Sequence, residues 1–300
     1  MILGSIDTIN KILKGNLLMH IKTKPVVTII SHVCIDQNII EGINKQSWGS
    51  PAMYIANYYS KFNIVSNIIS SYGSDFVDYI NSFTNMVIGP NYSKTLVYRN
   101  VVENGFRTQY CINSEQSLPV PISDSIIKII EETDILIVAP DIPNYTVSYI
   151  HEIIRHSPRN CIRAILPQGI MRTISKDSSV KVNDFSEISD MISCFDILIV
   201  SDEDISKPIE RAREWSMNNR DLKVIVTQAD RGATLFYNNS ETRIPTLPLA
   251  IRDIVNPVGA GDIFSAQLIL SIFNMSDICK AIQDAHKAAS GSMTTSALKD

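Results

Sequence analysis

The chain has 300 residues, of which 45% are hydrophobic and 19% are charged, so it can bury one large core without requiring several domains. The formal net charge is -4 and no basic stripe recurs along the chain, which argues against a nucleic-acid partner. The five cysteines are scattered and form no Cys-x-x-Cys pair. This pattern argues against a zinc site or a disulfide framework and favours a reducing, cytoplasmic location.

The first 24 residues are mixed in character. Apolar residues recur there at roughly helical spacing, but charged residues interrupt them, and the segment lacks the apolar core and cleavage site of a signal peptide. No later segment is apolar for long enough to span a bilayer, so we expect no membrane partner. We interpret 1–24 as an N-terminal extension, either a short extra helix or an over-long start with Met19 as an alternative initiator, and 25–300 as the folded domain.

From residue 25 onward, short apolar runs alternate with helical segments. The predicted strands are 25–30, 64–69, 134–139, 161–166, 195–200 and 223–227, and the predicted helices are 53–62, 123–132, 145–156, 186–193, 208–217, 264–273 and 281–289. This alternation predicts an α/β fold with a mainly parallel central sheet and helices on both faces.

One region departs from that alternation. Residues 95–110 alternate apolar and polar side chains around a turn at 103–105, which predicts a β-hairpin of half-exposed strands. Short β segments inserted into a doubly wound fold often act as lids. We therefore assign β-lid segments to the neighbourhoods of 37–48 and 91–118.

The most informative stretch is 256–264, Asn-Pro-Val-Gly-Ala-Gly-Asp-Ile-Phe, which precedes an apolar helical run. A glycine-rich turn that enters a helix presents free N–H groups and the positive end of the helix dipole, and both favour a phosphate. Asp262 would be a poor anion ligand there, but it suits a base that orients an attacking hydroxyl. The alternative is that Asp262 is an ordinary helix N-cap.

Acidic residues follow two other predicted strands. Asp36 comes shortly after the first strand, and in open α/β sheets ligands gather at the carboxyl ends of the strands. Its carboxylate could accept hydrogen bonds from substrate hydroxyls, or Asp36 could be a turn residue. The run Asp-Glu-Asp at 202–204 could hold Mg²⁺ directly or through water, or it could be a solvated helix start.

The string at 256–264 resembles the C-terminal signature of the ribokinase-like (PfkB) carbohydrate kinases, Asp-Thr-x-Gly-Ala-Gly-Asp-x-Phe. Gly49, Gly73 and Asp75 match the N-terminal signature of that family, although Trp48 replaces the first glycine of its Gly-Gly pair. The resemblance covers roughly residues 25–298.

Three further elements resemble the same family. Thr227 and Gly232 match a Thr-x-Gly-x-x-Gly loop in which Ala229 replaces the first glycine, and a hydroxyl with free amides suits the donor's β-phosphate. Ser201 and Asp204 stand where the family has Asn-x-x-Glu. The string Pro-Gln-Gly-Ile-Met-Arg at 167–172 resembles a subgroup that includes inositol- and nucleoside-kinase-like members.

The resemblance implies a ribokinase-like three-layer sandwich with a small β lid. It implies ATP-dependent phosphorylation of a hydroxyl on a sugar, an inositol or other polyol, or a nucleoside, with ATP and Mg²⁺ as cofactors. It also implies a small-molecule acceptor as partner and a homodimer formed through the lid. The alternative is a catalytically weak or inactive member that binds nucleotide or sugar as a regulator or scaffold, and the departures at Trp48, Ser201 and Ala229 favour it.

The resemblance also implies a role for each matching residue. The catalytic residue is Asp262, and the anion hole comprises Gly259, Ala260 and Gly261. The substrate-binding residues are Asp36, Gly49, Arg107 and Asn256, with an ordinary surface arginine as the alternative for Arg107. The nucleotide-binding residues are Thr227, Gly232, Ser201 and His286, although the favoured interpretation of His286 is an ordinary residue of the helix surface. The metal-binding residues are Asp204 and Glu203.

Overall fold

The computed structural model describes residues 24–40, 42–81, 85–103, 106–183, 188–246, 249–250, 253–254 and 257–294. The expected N-terminal extension therefore lies outside the described residues, apart from Lys24. In the described part of the chain, no helix is both long and apolar enough to cross a membrane.

The described strands and helices follow the predicted alternation. The strands are β1 (Val27–Ser31), β2 (Cys34–Ile40), β3 (Ile43–Gly49), β4 (Ser66–Ile69), β5 (Tyr72–Gly73), β6 (Met86–Ile88), β7 (Asn91–Tyr92), β8 (Leu96–Glu103), β9 (Phe106–Ile112), β10 (Ile135–Ala139), β11 (Ile162–Ile165), β12 (Arg172–Ile174), β13 (Val180–Val182), β14 (Ile197–Ser201), β15 (Lys223–Thr227), β16 (Ala233–Tyr237) and β17 (Ser240–Ile244). The helices are α1 (Pro51–Ser60), α2 (Val77–Asn81), α3 (Asp124–Glu131), α4 (Val147–His156), α5 (Ile188–Ile192), α6 (Pro208–Asn218), α7 (Ala260–Phe273) and α8 (Ile278–Thr294).

The central sheet has nine strands in the order β17-β16-β15-β14-β11-β10-β1-β4-β6. The seven strands from β15 to β6 are parallel, whereas β16 and β17 are antiparallel at one edge. The chain first runs from β1 to β4 and β6 and then returns to β10 on the other side of β1. The strand order thus reverses between β1 and β10, and a ligand crevice is expected outside the carboxyl ends of those two strands.

Two helical layers cover this sheet and produce the expected three-layer sandwich. Helices α1, α7 and α8 pack on one face, where their buried residues form a core with alternate residues of the strands. Helices α3 to α6 cover the other face, and Trp215 of α6 lies in that second core. Helix α7 is buried on most sides because it lies between α1 and α8, which explains why its sequence is apolar almost throughout.

A second sheet of four strands, in the order β3-β2-β8-β9, stands apart from the central one. The predicted hairpin at 95–110 is confirmed as the antiparallel pair β8 and β9. The antiparallel pair β2 and β3 lies within and just beside the lid segment expected near 37–48, but its strands were not predicted. That this sheet acts as a lid stays a prediction.

The sheet of β2, β3, β8 and β9 is fastened to the rest of the domain by hydrogen bonds. The Tyr98 hydroxyl of β8 donates to the Asp141 carbonyl oxygen just after β10. The Cys111 N–H of β9 donates to the Ser178 carbonyl oxygen at 2.8 Å, in the turn between β12 and β13. The small β12–β13 hairpin, which was not predicted, therefore supports the second sheet beside the crevice.

Candidate active site

Asp36 lies at the crevice between β1 and β10, but not where the sequence placed it. It is the third residue of β2 in the second sheet, rather than a residue at the end of a central strand. Its side chain is 7% exposed, and Tyr54 Oη donates to Asp36 Oδ2 at 3.4 Å. The central strand ends at Ser31, and the chain turns out of the sheet in two residues before β2 begins. The pattern of apolar residues in the sequence did not show that β1 and β2 are two separate strands.

Gly49 makes room for the carboxylate of Asp36. The two residues lie near each other on the neighbouring strands β2 and β3, and a methyl group at Gly49 would overlap the Asp36 carboxyl group. Trp48, which replaces a glycine of the family signature, packs its ring against Tyr54 with the centroids 5.4 Å apart. Gly49 is therefore required for the placement of Asp36.

The turn at Gly259 meets the same tyrosine. Gly259 is the N-cap of α7 with φ of 78°, in the left-handed region, and a methyl group there would overlap the Tyr54 ring. Tyr54 thus joins the Gly259 turn to Asp36. Burial raises the pKa of its hydroxyl, and the charges of Asp36 and Asp262 raise it further, so Tyr54 stays protonated and acts as a hydrogen-bond donor.

The expected anion hole is the first turn of α7. The N–H groups of Ala260, Gly261 and Asp262 occupy the first three helical positions, which have no partner within a helix. The Ala260 N–H makes a long contact of 3.3 Å with the Pro257 carbonyl oxygen, and a methyl group at Gly261 would meet no atom within 4 Å. The helix start is therefore open on the side of Gly261, as the approach of an anion requires.

Asp262 has the electrostatic environment of a base that works near neutral pH. Burial raises the pKa of its carboxyl group to about 7, and the charges of Asp36 and Asp204 contribute in the same direction, whereas Arg172 opposes them. A catalytic carboxylate with a pKa near the working pH can accept a proton and release it again. The structure thus brings three of the expected residues, Asp36, Asp204 and Asp262, within electrostatic reach of one another.

Asp141 belongs to this group of carboxylates and was not among the expected site residues. It follows β10 at the crevice, is 4% exposed, and its Oδ2 atom is buried without a hydrogen-bond partner among the described residues. Burial raises the pKa of Asp141 well above its usual range, with further contributions from Asp262 and Asp36. The signal was present, because Asp141 lies two residues after a predicted apolar strand, and an acid shortly after such a strand is the pattern that made Asp36 a candidate.

His32 fixes the backbone at Asp141. Its Nδ1 atom accepts a hydrogen bond from the Asp141 N–H at 3.0 Å, and its Nε2 atom lies 3.0 Å from Asn144 Oδ1. Because Nδ1 accepts, we infer that Nε2 carries the proton and donates to Asn144. Burial lowers the pKa of His32 to about 4, so the ring is neutral at physiological pH. His32 therefore supports the backbone at this position as a buried, neutral residue of the turn between β1 and β2.

The expected metal-binding residues lie after β14. The Ser201 N–H donates to Asp204 Oδ2 at 3.0 Å, and Gln168 Nε2 donates to Asp204 Oδ1 at 3.0 Å. Glu203 is exposed, and its N–H donates to Ser201 Oγ at 3.3 Å. Among the described residues, no three His, Cys, Asp or Glu side chains are grouped closely enough to hold a metal ion.

The loop after β15, where two of the nucleotide-binding residues are expected, makes a tight backbone turn. Thr227 pairs with Ser201 on the neighbouring strand, and its Oγ1 donates to the Val200 carbonyl oxygen at 3.3 Å. Gly232 has φ of 92°, and a methyl group there would overlap the Ile244 carbonyl oxygen, so only glycine fits. Ala229, which replaces a family glycine, also has a positive φ, of 48°.

Three expected residues receive less support from the structure. His286 was read mainly as helix surface, but its ring is half-buried and packs against Phe264 with the centroids 5.0 Å apart. Burial lowers its pKa and its Nε2 atom has no partner among the described residues, while its nucleotide role stays a prediction. Asn256 and the side chain of Arg107 lie outside the described part of the structure.

Comparison with known protein families gives a match over more than half of the chain. The family described as pfkB family carbohydrate kinase matches residues 123–299. The chain belongs to this family. The chain is therefore a phosphotransferase that acts on a hydroxyl group of a small molecule. A comparison with curated proteins finds no significant match.

Solved structures of the ribokinase family have the same fold as this pfkB-family chain. A pyrophosphate-dependent kinase of the ribokinase family, solved as a sulfate complex, is similar with a TM-score of 0.74 and 15% identity, over 89% of this chain and 95% of that chain. Adenosine kinase from Schistosoma mansoni is similar with a TM-score of 0.73 and 11% identity, over 91% and 96%. Arabidopsis thaliana ribokinase is similar with a TM-score of 0.70 and 13% identity, over 91% and 94%.

Proposed function

We propose that this pfkB-family chain transfers the terminal phosphoryl group of ATP to a hydroxyl of a sugar, an inositol or other polyol, or a nucleoside. The observation that carries the proposal is the position of Asp262. Its carboxylate lies in the first turn of α7, within electrostatic reach of both Asp36 and Asp204. A base placed between acceptor-binding and donor-binding groups is what phosphoryl transfer requires.

In the proposed mechanism, Asp36 accepts hydrogen bonds from acceptor hydroxyls and thereby turns one of them toward Asp262. Asp262 takes the proton of that hydroxyl. The hydroxyl oxygen of the acceptor attacks the terminal phosphorus atom of the donor. The N–H groups of Ala260 and Gly261 stabilise the negative charge on the migrating phosphoryl group. The bond between the phosphorus atom and the bridging oxygen of the donor then breaks, and the shortened donor leaves with that oxygen.

The residues after β14 fit a metal that is held mainly through water and donor phosphates. Mg²⁺ commonly binds through one or two carboxylates together with substrate phosphates and retained waters, so it does not need three protein ligands. Asp204 is oriented by Ser201 and Gln168, which leaves further lone pairs of its carboxylate for water. When bound, Mg²⁺ would neutralise charge on the donor phosphates. The lid-mediated homodimer stays part of the proposal.

The donor is the point at which the relatives differ. Two of the similar structures are described as pyrophosphate-dependent kinases of the ribokinase family, and the similar Arabidopsis ribokinase was solved with ribose and ATP. The phosphate-binding turn of this chain would serve either donor, because both end in a phosphoryl group attached to a phosphate. The test must therefore vary the donor as well as the acceptor.

A matrix of donors and acceptors tests the proposal. ATP and pyrophosphate would each be combined with Mg²⁺ and with sugars, inositols and nucleosides, and product formation would be followed by mass spectrometry beside thermal-shift measurements of binding. We expect turnover with at least one polyhydroxylated acceptor. Binding of ligands without turnover in every combination would instead support a regulatory or scaffold member.

A further inference from the structure

We propose that Arg172 is a further catalytic residue of this site and contacts the migrating phosphoryl group. The inference rests on the proposed phosphoryl transfer. Arg172 begins β12, and its guanidinium stacks on the Tyr98 ring at 5.4 Å from the centroid. Its Nη1 atom donates to Tyr98 Oη at 3.2 Å, and that hydroxyl donates to the Asp141 carbonyl oxygen. The guanidinium is therefore held beside the acceptor-side carboxylates.

The hexapeptide 167–172, Pro-Gln-Gly-Ile-Met-Arg, supplies the geometry that places this cation. The Gly169 N–H donates to the Pro140 carbonyl oxygen at 2.9 Å, and a methyl group at Gly169 would overlap the backbone of residues 140–142. The turn is thus pressed against the end of β10. Gln168 reaches the donor side and bonds Asp204 at 3.0 Å. One short segment therefore touches both halves of the site and ends in Arg172.

The charge of Arg172 acts on carboxylates from both halves. It lowers the pKa of Asp141 and Asp262 near the acceptor and of Asp204 near the donor, against the burial that raises all three. Burial opposes the charge of Arg172, but Tyr98, Asp204 and Asp141 raise its pKa, so it stays a cation. A cation whose charge reaches carboxylates of both halves is suited to stabilise a phosphoryl group that moves between them.

The guanidinium has donors to spare for this contact. It carries five N–H bonds, of which one is used by Tyr98 in the described contacts. In the transfer step the bond from the acceptor oxygen to phosphorus forms, the bond from phosphorus to the donor's bridging oxygen breaks, and Asp262 receives the acceptor proton. Arg172 neither gains nor loses a proton; it stabilises charge on the non-bridging oxygens of the phosphoryl group.

The test compares Arg172→Ala and Arg172→Lys with a matched control, Arg213→Ala. Arg213 also stacks on an aromatic ring, Phe236, at 5.8 Å, and bonds Glu241 on the surface. We expect Arg172→Ala to lower kcat by about 10²- to 10³-fold with little change in acceptor KM. The kcat of Arg172→Lys should lie between the values for Arg172→Ala and the wild type. Guanidinium added to Arg172→Ala should restore part of kcat, which a purely structural loss would not allow. Arg213→Ala should keep the wild-type kcat.

Calorimetric titration with inorganic phosphate gives a second readout that needs no turnover. We expect Arg172→Ala to bind phosphate about tenfold more weakly than the wild type, or worse. If the wild type shows no turnover in the donor and acceptor matrix, the proposed function fails, but the phosphate titration still decides the role of Arg172. Unchanged phosphate affinity in Arg172→Ala, or a rise in acceptor KM with kcat preserved, would overturn the inference. If the alanine variant does not fold, Arg172→Lys and Arg172→Gln replace it in the same measurements.

Discussion

In the proposed site, the acceptor side and the donor side are built in different ways. The acceptor side consists of buried side chains, since Asp36 and Asp141 lie almost out of reach of water and Tyr54 and His32 hold their surroundings in place. The donor side consists largely of backbone, with the turn at Gly232 and the first turn of α7. Side chains that vary freely suit the recognition of a variable acceptor, whereas backbone amides suit a phosphate that is the same in every donor.

The largest expected effect is that of Asp262→Asn. An asparagine keeps the size of the side chain but cannot take the hydroxyl proton, so we expect kcat to fall by about 10²- to 10⁴-fold. Donor affinity should stay within a few-fold, because the backbone of α7 is unchanged. Steady-state kinetics and a donor titration would measure both. Near-wild-type turnover by this variant would remove Asp262 from the mechanism.

The pH dependence should show the next largest effect. The pKa of Asp262 is raised to about 7, and the ionised form is the active base, so kcat/KM should rise about tenfold per pH unit below 7 and level off above it. Stability should change in the opposite direction. Between 3.8 and about 7 the folded chain holds this proton while the unfolded chain has released it, so the free energy of unfolding falls as the pH rises through that window.

A variant of Asp36 sharpens the prediction on pH. The charge of Asp36 contributes to the raised pKa of Asp262, so Asp36→Asn should move the acidic limb of the kcat/KM profile to lower pH. Denaturant titrations at several pH values would measure the stability trend alongside. If the acidic limb stays near pH 7 in Asp36→Asn, the charge of Asp36 does not act on Asp262. That result would contradict the placement of the two carboxylates close together in one site.

The smallest effects are expected from two glycine variants, one on the acceptor side and one on the donor side. In Gly49→Ala the new methyl group displaces the Asp36 carboxylate, so we expect acceptor KM to rise about tenfold while donor KM stays constant. In Gly232→Ala the strained backbone, with φ of 92°, should cost about 1–3 kcal/mol of stability and should raise donor KM. Kinetics with each substrate varied in turn, together with thermal unfolding, would detect the contrast. Equal effects of both variants on both KM values would contradict the division into two sides.

Much of the fold followed from local sequence signals. Buried parallel strands such as 135–139 and 223–227 are short apolar runs, and the turn before α7 is marked by glycines, so their positions could be predicted. The short strands β12 and β13 escaped prediction because they have only three residues each and carry few apolar side chains. Asp36 was identified as a candidate, but it was placed after the first central strand and not within β2, because β1 and β2 are separated by only two residues.

By itself, the sequence determined the class of the fold and marked the glycine-containing stretch 256–264 as the candidate phosphate site, because glycine positions and apolar periodicity are local properties. Only the tertiary structure decided that Asp141 and Arg172 join Asp36, Asp204 and Asp262. These residues come from five separate segments, and neither their burial nor their mutual charge effects exist until the sheet order brings the strand ends together. Local patterns cannot encode such effects, since a pKa is set by neighbours in space and not by neighbours in the chain.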